Sequence, residues 1–212
     1  MTHSLHRLGS VEELRNDYVL LVTPAIGFNH EGKKAALQKV VDIVFDVGPN
    51  NIASIEATGT IFTGTTKDDI KNNIHDKGRV RCCFDSREKM EQVLRRLAEA
   101  DLGLSITVSG LIDEVLPMAR RAGFEPHTIN LSLGVHGNTG CLPGDRVREI
   151  TTMCGHGLVA TKLAEAMIKE VKAGRKSLEE AAVKLAQPCF CGIFNVERAK
   201  QILLAAGDAG AD

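Results

Sequence analysis

The chain reads as an α/β or α+β protein: a layered sheet of about four to five strands over residues 1–134, with a helical tail over residues 135–212 packed on it as part of one domain. Three observations predict this. Short apolar or alternating runs recur between residues 18 and 133, interleaved with stripes of helical period. Beyond Gly134 only the helical stripes continue. At 212 residues and 43% hydrophobic content the chain is long enough to bury a real core and too short to require several domains.

Ser10 and Glu13 form a capping box, so a short helix is expected over about residues 11–16. Tyr18-Val-Leu-Leu-Val-Thr23 is a buried strand ended by Pro24 and Gly27. From Lys33 the period changes, and Leu37, Val40, Val41 and Val44 share one helical face until Gly48-Pro49. A weaker strand follows over 52–61, then a threonine-rich, glycine-containing edge over 58–66 and a short helix over 67–74. Arg79-Val-Arg-Cys-Cys-Phe84 is a strand; Asp85 and Glu88 resemble a capping box; Met90, Val93, Leu94 and Leu97 make a helical stripe; Leu104-Ser-Ile-Thr-Val108 alternates. That β-α-β unit predicts parallel pairing. A helix carrying Leu111, Val115 and Met118 is expected to be kinked or divided by Pro117, and His127-Thr-Ile-Asn-Leu-Ser-Leu133 is a last strand. The tail contains three helices, over about 156–173, 178–186 and 196–206, and residues 205–212 are expected to fray. This order of elements is compatible with a ferredoxin-like split β-α-β layer, and a doubly wound sheet fits nearly as well.

Net charge is −1 and aromatic content 4% with no Trp, which argues against a nucleic-acid or anionic-membrane surface. The absence of an apolar leader or of a run near the roughly 18 residues of a membrane span leads to the expectation of a cytoplasmic protein. Six cysteines in such a chain read as reduced thiols rather than a disulfide framework.

Function is expected where the cysteines meet the tail helices. Thr151-Thr-Met-Cys-Gly-His-Gly157 precedes the long helix and Pro188-Cys-Phe-Cys-Gly192 precedes the final one, so both groups are expected near helix N-termini that favour thiolates. Gly155, Gly157 and Gly192 would let the backbone approach whatever the sulfurs bind. Cys154, Cys189 and Cys191 suit an iron–sulfur cluster with one open iron, by analogy with hydro-lyases that use three cysteines. Adding His156 gives a four-ligand set for structural zinc. A thiol–disulfide couple is the third reading. Cys82 and Cys83, adjacent in a strand, must face opposite ways.

His136 and His156 are the candidate acid–base residues, His136 because it lies in a Gly-rich loop with Asn138 and Cys141 directly after a strand. Ser109-Gly110, between a strand and a helix, and Asn138 are candidate substrate-binding positions. His3, His6, His30, His75 and His127 have no ligand partner at helical spacing and read as solvated or satisfied. No phosphate-loop or dinucleotide fingerprint is present. The combined expectation is a metal- or iron–sulfur-dependent enzyme or enzyme subunit with hydro-lyase-like chemistry on a small polar acid. The alternative is a non-catalytic zinc-stabilised interaction module, and a second copy or second subunit is a candidate partner.

Overall fold

The computed structural model describes residues 2–57 and 59–208. Thr58 of the threonine-rich segment, residues 209–212 of the tail end and the side chain of His3 lie outside the described residues. The protein is α+β. Strands β1 (Tyr18–Thr23), β2 (Asn51–Ser54), β3 (Gly59–Thr60), β4 (Val80–Phe84) and β5 (Ser105–Ser109) form one sheet in the order β3-β2-β4-β1-β5. Among the described residues they are accompanied by helices α1 (Val11–Leu14), α2 (Lys34–Val47), α3 (Lys67–Asn73), α4 (Arg87–Ala100), α5 (Ile112–Arg121), α6 (Asp145–Thr151), α7 (Thr161–Lys172), α8 (Leu178–Ala186) and α9 (Val196–Asp208).

Every strand pairing is antiparallel, which corrects the expected parallel pairing and the doubly wound alternative. β4 and β5 do not pair with each other; both pair with β1, with Val19 opposite Cys83 on one side and Ser109 on the other. The helical connection through α4 therefore skips over β1, and the connection through α2 likewise joins β1 to β2 with β4 between them. Alternation within a strand is the same whether its neighbour is parallel or antiparallel, so the pattern alone carried no information about this.

The two faces of the sheet serve different cores. Tyr18, Leu20 and Val22 of β1 pack with Cys82 and Phe84 of β4 against Leu37, Val41 and Val44 of α2 and Met90, Val93 and Leu94 of α4. Val19 and Cys83 turn the other way and join Ile150, Met167, Leu185, Phe194 and Ile202 of the tail. Burial on both faces explains why β1 is continuously apolar rather than alternating. At the far end of these strands the second face is open: Leu21 and Thr23 of β1 and Arg81 of β4 line a cleft.

The local signals held where they concern caps and stripes. The Ser10–Glu13 and Ser177–Glu180 capping boxes close α1 and α8, and α4 buries Met90, Val93, Leu94 and Leu97. The cap of α4 is Ser86, whose hydroxyl accepts the Lys89 N–H, while Asp85 instead pairs with the Lys89 ammonium at 2.8 Å. α5 runs through Pro117 undivided. The expected strand over 127–133 does not form: the segment joins no sheet, with Leu131 65% and Leu133 87% exposed. α6 arises in a stretch to which the sequence assigned no element, and α7 begins at Thr161, five residues later than the pattern indicated.

Candidate functional site

Two irregular segments converge on the second face of the sheet. One links α6 to α7 and carries Cys154 and His156; the other links α8 to α9 and carries Cys189, Phe190 and Cys191. Cys154 lies after α6 and the cap of α7 is Ala160, so Cys154 does not cap a helix, whereas Cys189 and Cys191 lie in the turn that leads into α9. Nearby backbone amides of His156, Leu158 and Val159 favour the thiolate of Cys154, and that of Ile193 favours the thiolate of Cys191.

The second segment is held down by a polar lattice. Asn51 Nδ2 donates to the Phe194 carbonyl (3.1 Å), Asn50 Oδ1 accepts the Val196 N–H (2.7 Å) and Asn195 Oδ1 accepts the Arg198 N–H (3.0 Å), which starts α9. Gly192 sits in the left-handed region at φ +71°, with its α-carbon against β2. A Cβ there would lie 2.5 Å from the Ile52 carbonyl carbon and closer still to the Ala53 nitrogen. Gly192 therefore allows close docking of this segment onto the strand, a role the sequence did not indicate. Gly157 also has positive φ (+69°), with nothing near its missing side chain.

Arg7 ties the two cysteine segments together. Its buried guanidinium pairs with Asp17 and donates to the carbonyls of Met153 (3.1 Å) and Ile193, each one or two residues from a site cysteine. Arg198 completes the group from below, donating to Asp17 Oδ2 at 2.7 Å and to the Leu8 carbonyl. Burial alone would raise the Asp17 carboxyl, but the two guanidiniums overcome it and hold the group below the ordinary carboxylate range.

The side chains of the site meet pairwise. Cys189 Sγ is 3.7 Å from Cys191 Sγ, Cys191 Sγ is 3.6 Å from His156 Nδ1, and Cys154 lies near enough to Cys189 to influence its ionisation. All three cysteines are buried, whereas His156 is exposed and stacks on Phe190 with ring centroids 6.0 Å apart and planes at 15°. Cys189 holds its proton: hydrogen bonds to Cys154 and Cys191, then burial, push its thiol up. Those same bonds, with the amides, bring Cys154 and Cys191 down to about 6. Among the described residues no group of three or more His, Cys, Asp or Glu side chains is arranged to hold a metal ion.

A cleft of about 630 Å³ opens beside these groups, walled by Cys191, His156, Phe190, Thr23, Arg79 and Arg81 among others. Burial lowers the Arg81 guanidinium from its ordinary value, and the Cys191 sulfur partly offsets this. The remaining sequence-selected residues lie elsewhere. His136 is exposed, with Nε2 2.7 Å from the Leu133 carbonyl, and does not line the cleft. Asn138 donates to Cys141 Sγ at 3.3 Å in the same exposed loop. Ser109 is buried against Ser4 Oγ at 2.6 Å, and Gly110 is packed so tightly on the Tyr18 ring that a Cβ would lie 2.9 Å from it. Ser109 and Gly110 thus shape the join between β5 and α5. Cys82 and Cys83 pack in the two separate cores. Sequence reasoning missed Arg7, Arg79, Arg81 and Phe190. Arg79 and Arg81 had a signal, an i, i+2 pair of cations at the start of the otherwise apolar strand β4, but Arg7 reaches the site only through tertiary contacts.

No protein-family model, curated protein or solved structure matches the chain.

Proposed function

We propose that Cys154, Cys189 and Cys191, with His156 through Nδ1, hold a single tetrahedral metal ion and that the protein is a metal-dependent enzyme of the lyase or hydratase kind. The observation that carries this reading is a pair of distances. With metal–sulfur bonds of about 2.3 Å and metal–nitrogen bonds of about 2.0–2.1 Å, a tetrahedron has a sulfur–sulfur edge of about 3.75 Å and a sulfur–nitrogen edge of about 3.6 Å. The separations are 3.7 Å and 3.6 Å. A four-iron cluster binds each of its cysteines to a different iron, which places their sulfurs farther apart than 3.7 Å, so the separation favours one ion over a cluster of that type.

His156 separates a catalytic from a purely structural site. It is the only exposed member of the set and it lines the cleft. Exchange of His156 for a substrate oxygen would open the coordination position that catalytic zinc sites retain, where the metal acts as a Lewis acid. The structural alternative, a zinc-stabilised interaction module, draws its support from the burial of all three cysteines at the join of the two tail segments. The strand order β2-β4-β1-β5, with helical connections after β1 and β4, supports reading the sheet as a ferredoxin-like layer on which residues 135–212 pack within one domain.

The test is metal and acid-labile sulfide analysis of protein purified without oxygen, in wild type, Cys189→Ser and His156→Ala. One zinc or iron per chain without sulfide, lost in Cys189→Ser and retained at least in part in His156→Ala, is the expected result. Stoichiometric sulfide, or no metal in folded wild type, overturns the single-ion reading.

A further inference from the structure

The cleft beside Cys191 carries a charge pattern found nowhere else among the described residues. Every other arginine forms an ion pair with a carboxylate, from the buried Arg7–Asp17 and Arg198–Asp17 pairs to the surface Arg96–Asp46, Arg121–Glu91 and Arg175–Glu170 pairs. Arg79 and Arg81 have no ion pair and no side-chain hydrogen bond among the described residues, yet both face the cleft. Glu56, whose charge reaches Arg81, is engaged elsewhere: its carboxylate accepts from Ser54 Oγ at 3.0 Å and lies 3.9 Å from His75 Nε2.

Their placement follows from the strand. Residues two apart in a strand project to the same face, so Arg79 and Arg81 leave the strand region on the side that Cys83 also occupies. The tail helices cover that face at Cys83 and leave it open at Arg81, opposite Leu21 in register. Two like charges side by side repel, and Arg81 is partly withdrawn from water, so the pair is costly without an anion between its members. The guanidinium fork is suited to two-point contact with the oxygens of a carboxylate or phosphate. The opposite wall supplies Cys191 and His156, while Phe190 and Thr23 offer an apolar and a hydroxyl surface between the two ends.

We propose that Arg79 and Arg81 form a clamp for the anionic group of a small substrate, a carboxylate or a phosphate, and hold its other end against the Cys191 and His156 side of the cleft. The assignment of the far end as the reacting end rests on the metal reading above; the clamp itself does not.

The experiment is titration calorimetry at low ionic strength with succinate, with inorganic phosphate and with the neutral isostere succinamide. The proteins are wild type, the Arg79→Gln/Arg81→Gln double variant and Cys189→Ser, with metal content measured on each sample. Wild type binds at least one of the two anions and discriminates against succinamide, and the double variant loses at least about tenfold in affinity, the effect of removing charge-assisted hydrogen bonds. Its metal content and thermal midpoint stay at wild-type values, because both side chains lie at an open face. Binding of succinate alone assigns a carboxylate clamp, and of phosphate alone a phosphate clamp. Absence of binding by either anion, or equal affinity in the double variant, overturns the clamp while leaving the metal reading in place. Metal-free wild type that still binds anion through Arg79 and Arg81 does the reverse.

Discussion

Substitution of Gly192 by alanine probes how the Cys-x-Cys segment is seated on the sheet. Two costs can be worked from the geometry. At φ +71° an L-residue pays roughly 1 kcal/mol or more that glycine avoids. The new methyl group would also lie 2.5 Å from the Ile52 carbonyl carbon and 2.8 Å from Ala53 Cβ, with the Ala53 nitrogen nearer still. The carbonyl carbon and the nitrogen are backbone atoms of β2, which is paired on both edges and cannot rotate aside, so overpacking adds about 1–3 kcal/mol. The sum, about 2–4 kcal/mol, corresponds to a fall in thermal midpoint on the order of 10 °C for a domain of this size. Because the segment must lift from β2, Cys189 and Cys191 move with it and metal content falls as well. Thermal denaturation with metal analysis on the same preparation reads both effects. Addition of Ala53→Gly does not rescue the variant, since it removes the Cβ contact and leaves the backbone overlap. A midpoint within about 2 °C of wild type would refute the docking argument.

Three further outcomes follow from the same structure. Arg7→Met leaves Asp17 with Arg198 as its one cation beside the Asn195 amide and frees the carbonyls of Met153 and Ile193; denaturant unfolding should show a loss of about 3–5 kcal/mol, with reduced metal content, and an undiminished midpoint would contradict the bridging role. Asp17 is held below its unfolded value of about 3.9, so its contribution to stability is complete above that pH and is lost as pH falls through the folded value. Unfolding midpoints should therefore drop below about pH 4, with a shallower drop in Asp17→Asn; identical slopes in the two proteins would exclude the effect. Cys82→Ala, on the face turned away from the site, should cost about 1 kcal/mol through lost packing and leave metal content unchanged, whereas Cys154→Ala should abolish it.

What the sequence made legible was local. The Ser177–Glu180 capping box and the stripe from Met90 to Leu97 are short-range patterns, and their helices lie where the pattern places them. The opposed directions of Cys82 and Cys83 follow from the strand period alone. Strand order is set by which apolar faces meet across the whole chain, and nothing in residues 79–108 indicated that β1 would enter between β4 and β5. The 127–133 run shows the limit of periodicity in another way: its alternation is real, but no open edge pairs with it, so its leucines remain exposed. At the candidate site, the expected grouping of Cys154 and His156 with Cys189 and Cys191 depends on tertiary closeness that no local pattern carries; His156 Nδ1 lies 3.6 Å from Cys191 Sγ. The surrounding parts were not visible because they come from distant segments. Arg7 meets Ile193 only after the N-terminal strap crosses the tail, and Arg79 and Arg81 become a pair of unneutralised charges only because the tail stops short of them.

X-ray absorption spectroscopy on protein purified without oxygen tests the central claim most directly, because it reads the ligand shell and not merely metal content. The account predicts a single metal with about three sulfurs near 2.3 Å and one nitrogen near 2.0–2.1 Å, and no metal neighbour. A short metal–metal shell with bridging sulfide would contradict it in favour of a cluster, and a metal-free protein with Cys189 joined to another cysteine by a disulfide would contradict it in favour of thiol chemistry.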